Sequence, residues 1–365
     1  MAEVRRGTVE FRQKSAPVRR WTCRVGSSGF VPRRRARPSA VFAALAVAVS
    51  VLAAPDAATP AASAAAPAAS AAAPAASAAV VAVRRTTGPL PKLGARCRAD
   101  QVGAFERSAG QKPSLLACAV DGRRVVWKNA APAITVAAAS DVRPAFDVLA
   151  DLFATATGAK VTFSYGSSGQ LRQQIVNGAP FDLFASADVA YINEVIAAGR
   201  GVASTKSDYA YGRIVLWTAD QSGKPSKMED LVGDRFRRIA IANPDHAPYG
   251  LAAKQALQTA GIYDQVADRL VLGENIAETF QIAKSGNADV GIVALSLAIA
   301  NGGSYTLVPT DLYQPLRQAL VVTGIGPNAV TAAAFAAFVS SPKGRIVMNR
   351  FGFVLPGENV TASTG

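Results

Sequence analysis

From Ile134 onward, short apolar runs alternate with stretches of helical periodicity. The apolar runs are Ile134–Ala137, Val161–Phe163, Phe181–Ala185, Ile214–Thr218, Ile239–Ile241, Leu270–Leu272, Val290–Val293, Tyr305–Val308 and Leu320–Thr323. Each has the length and residue types of a buried strand. Between them lie helical patterns such as Val189–Ala198, Leu251–Ala260 and Asn275–Ala283. The clearest follows Ser140, where Val142, Phe146, Leu149 and Phe153 share one helix face, with Pro144 in the first turn and Gly158 as the stop. Strands alternating with helices predict an α/β domain with largely parallel sheets.

Two of these strand-to-helix junctions carry chemistry. Ile134–Ala139 runs into Ser140, and Val161–Tyr165 runs into Gly166-Ser167-Ser168-Gly169. A helix N-terminus presents unpaired N–H groups and a partial positive charge, and a serine there adds a hydroxyl. Either serine alone reads as an ordinary N-cap. Both together, flanked by Ala and Gly, predict a cradle for a small anion.

Five segments in order carry a family resemblance: AAAS (137–140), YGSSGQL (165–171), GAPFDLFASAD (178–188), NPDHAPYG (243–250) and DVGIVALS (289–296). Over about residues 133–356 the chain resembles the periplasmic molybdate-binding proteins of bacterial molybdate ABC transporters, a type II periplasmic binding protein family. The resemblance implies two α/β lobes joined by two crossings, lobe one at 133–212 plus 320–356 and lobe two at 213–319. It implies an oxyanion in the cleft between them, closure about a hinge, and delivery to an ABC permease by a monomer that needs no cofactor.

Carried over residue by residue, the resemblance gives Ser140 and Ser168 as hydroxyl and N–H donors, and Tyr249 and Ile276 as backbone donors. The fifth position, often a tyrosine after Gly-Ile-Val, falls on Ala294, leaving Ser296, a neighbouring amide or a water to replace it. None of the five is acidic. A site of donors alone suits molybdate or tungstate, which carry no proton, whereas phosphate at neutral pH keeps one and needs an acceptor. Sulfate is smaller and would not reach every donor.

Composition changes the picture in one respect. The net charge of +14 suggests a nucleic-acid partner, but residues 1–131 hold 21 Lys+Arg against 6 Asp+Glu, and residues 132–365 hold 18 against 19. The globular part is near neutral, so a nucleic-acid reading loses its support. Residues 1–54 read as a basic leader and signal peptide, with Arg33, Arg34, Arg35 and Arg37 before an apolar run from Val41 to Ala54. The chain is therefore expected to be exported to the periplasm or cell envelope. Residues 55–89 form an Ala/Pro/Ser-rich linker able to tether it. Residues 90–130 form a small module whose Cys97 and Cys118 are expected to pair, as exported cysteines do. The oxyanion-binding domain then occupies 131–365.

Two further readings stay open. One is a same-fold binder or sensor for sulfate or an organic anion, the latter needing Arg143, Arg172 or Arg213 aimed into the cleft. The other is a secreted hydrolase using Ser168 and His246, although Gly166-Ser167-Ser168-Gly169 lacks the spacing of a nucleophile elbow. Asp182 and Asp188 bracket a strand end and read as structural caps. No Cys/His cluster or Walker pattern points to a metal or nucleotide, and the chain reads as a non-enzyme.

Overall fold

The computed structural model describes residues 90–109, 114–220 and 223–359. The expected leader and linker lie outside the described residues.

A three-stranded antiparallel sheet comes first: β1 (Phe105–Arg107), β2 (Leu115–Asp121) and β3 (Arg124–Asn129). Cys97 and Cys118 form its disulfide. One face buries Leu116, Cys118 and Trp127 against Cys97 and Val102. The other face belongs to the next domain's core. Phe105 meets the ring of Phe153 edge-on at 5.7 Å, and Leu115 and Ala117 pack with it. The module is thus docked onto the neighbouring lobe, not strung on a linker. Truncation of Phe105 to Ala should lower the unfolding free energy by about 3–5 kcal/mol in a denaturant titration, the usual effect of emptying an aromatic site. A loss below about 0.5 kcal/mol, the level of a bare surface change, would mean that the module is a detached appendage.

The first large sheet has the order β5-β4-β6-β13-β7. Its members are β4 (Ala133–Ala139), β5 (Lys160–Gly166), β6 (Leu183–Ser186), β7 (Ser207–Gly212) and, from far along the chain, β13 (Leu316–Val322). β4 is parallel to β5 and β6, while β13 runs antiparallel to β6 and β7. Helix α1 (Arg143–Thr157) follows β4, α2 (Ser168–Val176) follows β5, and α3 (Val189–Ala197) follows β6. Gly158 ends α1 in the left-handed region at φ 76°, where a side chain would be strained. Asp188 caps α3 by accepting from Ala190 N at 2.8 Å, and Asp182 ties Thr135 N to the Asn328 amide. Both aspartates therefore serve the structural roles expected of them.

The second sheet has the order β10-β9-β11-β8-β12. It comprises β8 (Ile214–Thr218), β9 (Ile239–Ala242), β10 (Leu270–Gly273), β11 (Val290–Ala294) and β12 (Ser304–Leu307). Helices α4 (Pro248–Thr259), α5 (Tyr263–Val266), α6 (Ile276–Lys284) and α7 (Leu295–Asn301) pack with it. The chain then returns to the first lobe as β13, α8 (Gly326–Val339) and α9 (Pro342–Arg350). Phe335 of α8 meets the Phe153 ring edge-on and Phe338 meets it at a tilt, closing the first lobe's core.

Two crossings join the lobes: Arg213, between β7 and β8, and residues 308–315, between β12 and β13. Leu316–Ala319, expected in the second lobe, stand in the first sheet instead. Their strand is longer than its apolar run because Gln318 is a fully buried polar residue. β7, whose Ser207-Asp208-Tyr209 start looks like loop, completes the sheet's edge.

Candidate functional site

Four helical N-termini converge between the lobes. The first lobe gives the turn Ser140–Val142 that leads into α1, and the start of α2 at Ser168. The second lobe gives the starts of α4, at Pro248 and Tyr249, and of α6, at Ile276. First-turn N–H groups have no acceptor within their own helix, so four positive helix ends face one point. A cavity sits there, lined by Ser140, Asp141, Ser168, Tyr249 and Ile276 among others. Its volume is about 10 Å³, far below the roughly 300–1,000 Å³ of pockets that take drug-sized ligands. No arginine or lysine lines it.

The serines are buried and held by backbone amides. Ser140 Oγ accepts from Ala277 N across the lobes at 3.2 Å, and Ser168 Oγ accepts from Ala187 N at 3.0 Å. A hydroxyl whose lone pair is taken by an N–H keeps its own proton to donate. Such a donor set, without a fixed cation, suits an anion bound by neutral dipoles.

The structure brings Ser140, Ser168, Tyr249 and Ile276 to this cavity. Ala294 is the exception: buried at the end of β11, it is absent from the lining. Ser296 does not replace it, since its hydroxyl donates to the Asp141 carbonyl at 2.7 Å. The organic-anion reading loses its arginines. Arg143 covers the Tyr165 ring, Arg172 pairs with Glu194, and Arg213 lies in the first crossing.

The expectation of a lining without acid needs correction, because Asp141 is fully buried there. Its Oδ2 accepts from Tyr249 OH at 2.9 Å, across the lobes, and from Gln318 Nε2 at 2.7 Å. Gln318 Oε1 accepts in turn from Tyr209 OH at 2.8 Å. Burial pushes the Asp141 carboxyl up to about 6, against the opposite pull of the Gln318 and Tyr249 hydrogen bonds. In sequence, Asp141 reads as a helix-start carboxylate. The only available signal was its position directly after Ser140.

The mouth of the cleft is held by a second set of contacts. His246 O accepts from Gly169 N at 3.0 Å and from Ser167 Oγ at 2.5 Å. Gln170 Nε2 donates to Glu274 Oε2 at 2.8 Å. His246 Nδ1 lies 2.8 Å from Ser167 Oγ, so the histidine meets Ser167 and not Ser168. Ser167 gives its proton to a carbonyl, and Ser168 is engaged with Ala187. Neither is set up as a nucleophile.

Residues 134–354 match the family model described as bacterial extracellular solute-binding protein. The chain belongs to that family: it is an extracytoplasmic solute-binding protein, not an enzyme. Its relatives include the molybdate-binding protein ModA of Rhodobacter capsulatus, 36% identical over 250 residues that cover 67% of this chain and 98% of the relative. The corresponding protein of Azotobacter vinelandii is also 36% identical, over 66% of this chain and 94% of the relative. In structure, the Azotobacter vinelandii periplasmic molybdate-binding protein superposes with a TM-score of 0.57 at 34% identity, over 61% of this chain and 99% of that one. The family match begins at Ile134, after the disulfide module.

Proposed function

We propose that this chain captures molybdate or tungstate outside the cytoplasm and delivers it to an ABC permease. The observation that carries the reading is the convergence of four helix N-termini and the Ser140 and Ser168 hydroxyls on one small cavity between two lobes. The relatives that match over two thirds of the chain are named for molybdate binding. The anion would be held through its oxygens, by Ser140 and Ser168 from one lobe and by the Tyr249 and Ile276 amides from the other. Ligand on both lobes favours the closed arrangement, which a permease can distinguish from an open one. The division into leader 1–54, linker 55–89, module 90–130 and binding domain 131–365 belongs to this proposal. The leader would direct export, and the linker would hold the monomer near the envelope.

Thermal unfolding tests it. Molybdate at a hundred times its Kd should stabilise the protein by about 2.7 kcal/mol, a rise in Tm of several degrees. Tungstate should do the same, and sulfate at equal concentration should leave Tm where it was. A sulfate shift equal to that of molybdate would make this a general oxyanion binder, and no shift with any of them would remove the assignment.

A further inference from the structure

Asp141 is the one carboxylate on a cavity otherwise built from donors. Its two oxygens differ. Oδ2 holds the Tyr249 and Gln318 hydrogen bonds, whereas Oδ1 is buried and makes no well-formed hydrogen bond, with only the Asp141 and Val142 N–H groups acting on the carboxyl from the backbone. An unpaired buried carboxylate oxygen is costly, and a dianion beside it makes the charged form costlier still. Protonation of Oδ1 resolves both: it removes the like charge and supplies one more O–H donor at the cavity.

We propose that the oxyanion binds together with one proton, held on Asp141 Oδ1, so that ligand affinity is coupled to pH. This rests on the oxyanion reading of the site. The side chains that face Asp141 are neutral, and His246, which lies 3.7 Å from Glu274, stands at the cleft mouth. Facing it are Tyr249 from α4 and Tyr209 from β7, both held well above the usual tyrosine range by burial. Gln318 of β13 and Ser296 of α7 are neutral. Tyr313 and Arg213 are one step further out. His246 and Glu274 are engaged at the mouth, with Ser167 and Gln170.

The sign follows from burial. In this closed arrangement burial pushes the carboxyl up to about 6, and the anion raises it further. Below the free protein's own carboxyl value Asp141 is protonated in both states and affinity is level. Above it, each complex takes up a proton from solution, and the Kd for molybdate should weaken about tenfold per pH unit. Asp141→Asn, uncharged at every pH, should show no slope and should bind more tightly than the native chain at pH 8.

The test is calorimetric titration of the full chain with sodium molybdate from about pH 6.5 to 8.5, in two buffers of different ionisation enthalpy. The expected result is uptake of about one proton per anion at pH 8, absent in Asp141→Asn and retained in His246→Gln. Tight binding with no proton uptake by the native chain overturns the proposal but leaves the molybdate assignment standing. So does a slope that persists in Asp141→Asn or vanishes in His246→Gln. Absence of molybdate heat at every pH overturns the assignment and this proposal together. If Asp141→Asn does not fold, the proton count of the native chain decides alone.

Discussion

Gly169→Ala should weaken molybdate binding by at least about a hundredfold while leaving the Tm of the ligand-free protein unchanged. Gly169 sits in the first turn of α2, and its N–H donates to His246 O in the opposite lobe. A Cβ there would lie 2.6 Å from that oxygen and 3.0 Å from the His246 Cα. Both are backbone atoms, so no side-chain rotation relieves the overlap, and the lobes must part. With the lobes apart, the substitution meets nothing, which is why the free protein should be indifferent. What is lost is the second lobe's share of the anion's hydrogen bonds. Two charge-assisted bonds at about 1.5–3 kcal/mol each exceed the roughly 2.7 kcal/mol of a hundredfold change. Titration calorimetry and differential scanning calorimetry on the same sample read both quantities. An unchanged Kd would show that the anion is held by one lobe without closure.

Ser168→Ala and Ser140→Ala should both weaken the anion, by about 1–3 kcal/mol each, but they should differ in stability. Ser168 Oγ is the partner of Ala187 N–H, which becomes an unpaired buried donor when the hydroxyl goes. Ser168→Ala should therefore also lower the unfolding free energy, by about 1–3 kcal/mol. Ala277 N–H has a second acceptor, Asn275 Oδ1 at 3.0 Å, so Ser140→Ala should leave stability nearly unchanged. Equal affinity in native and both variants would remove the serines from the site. Equal stability losses would contradict the separate roles of the two amides.

Much of this architecture was legible because the signals were local. Strand-to-helix junctions with small residues and a serine mark where a chain can present bare helix ends, and Ser140 and Ser168 lie at such junctions, whereas Tyr249 and Ile276 follow junctions without a serine and were legible only through the family resemblance. The crossings were less legible. The apolar run of β13 begins only at Leu320 because Arg317-Gln318 has the polarity of a solvent-facing pair, whereas Gln318 is buried to serve Asp141 and Tyr209. That partnership spans 177 positions for Asp141 and 109 for Tyr209, and no local pattern encodes it. Asp141 is hidden from local pattern for the same reason. A carboxylate at a helix start satisfies a capping rule, and only the closed lobes show that Tyr249 donates to it. The docking of the module through Phe105 is likewise a long-range contact, since an aromatic at 105 signals burial but not the Phe153 it meets.

The most direct measurement is titration of the intact chain with molybdate, tungstate, sulfate and phosphate in parallel, at one pH and one ionic strength. Donors placed around a small cavity with no fixed cation, together with an Asp141 that is itself a donor once protonated, predict tight binding of molybdate and tungstate and far weaker heats with sulfate and phosphate. Silence from all four anions, or phosphate bound as tightly as molybdate, would contradict the reading of this cleft as a molybdate site.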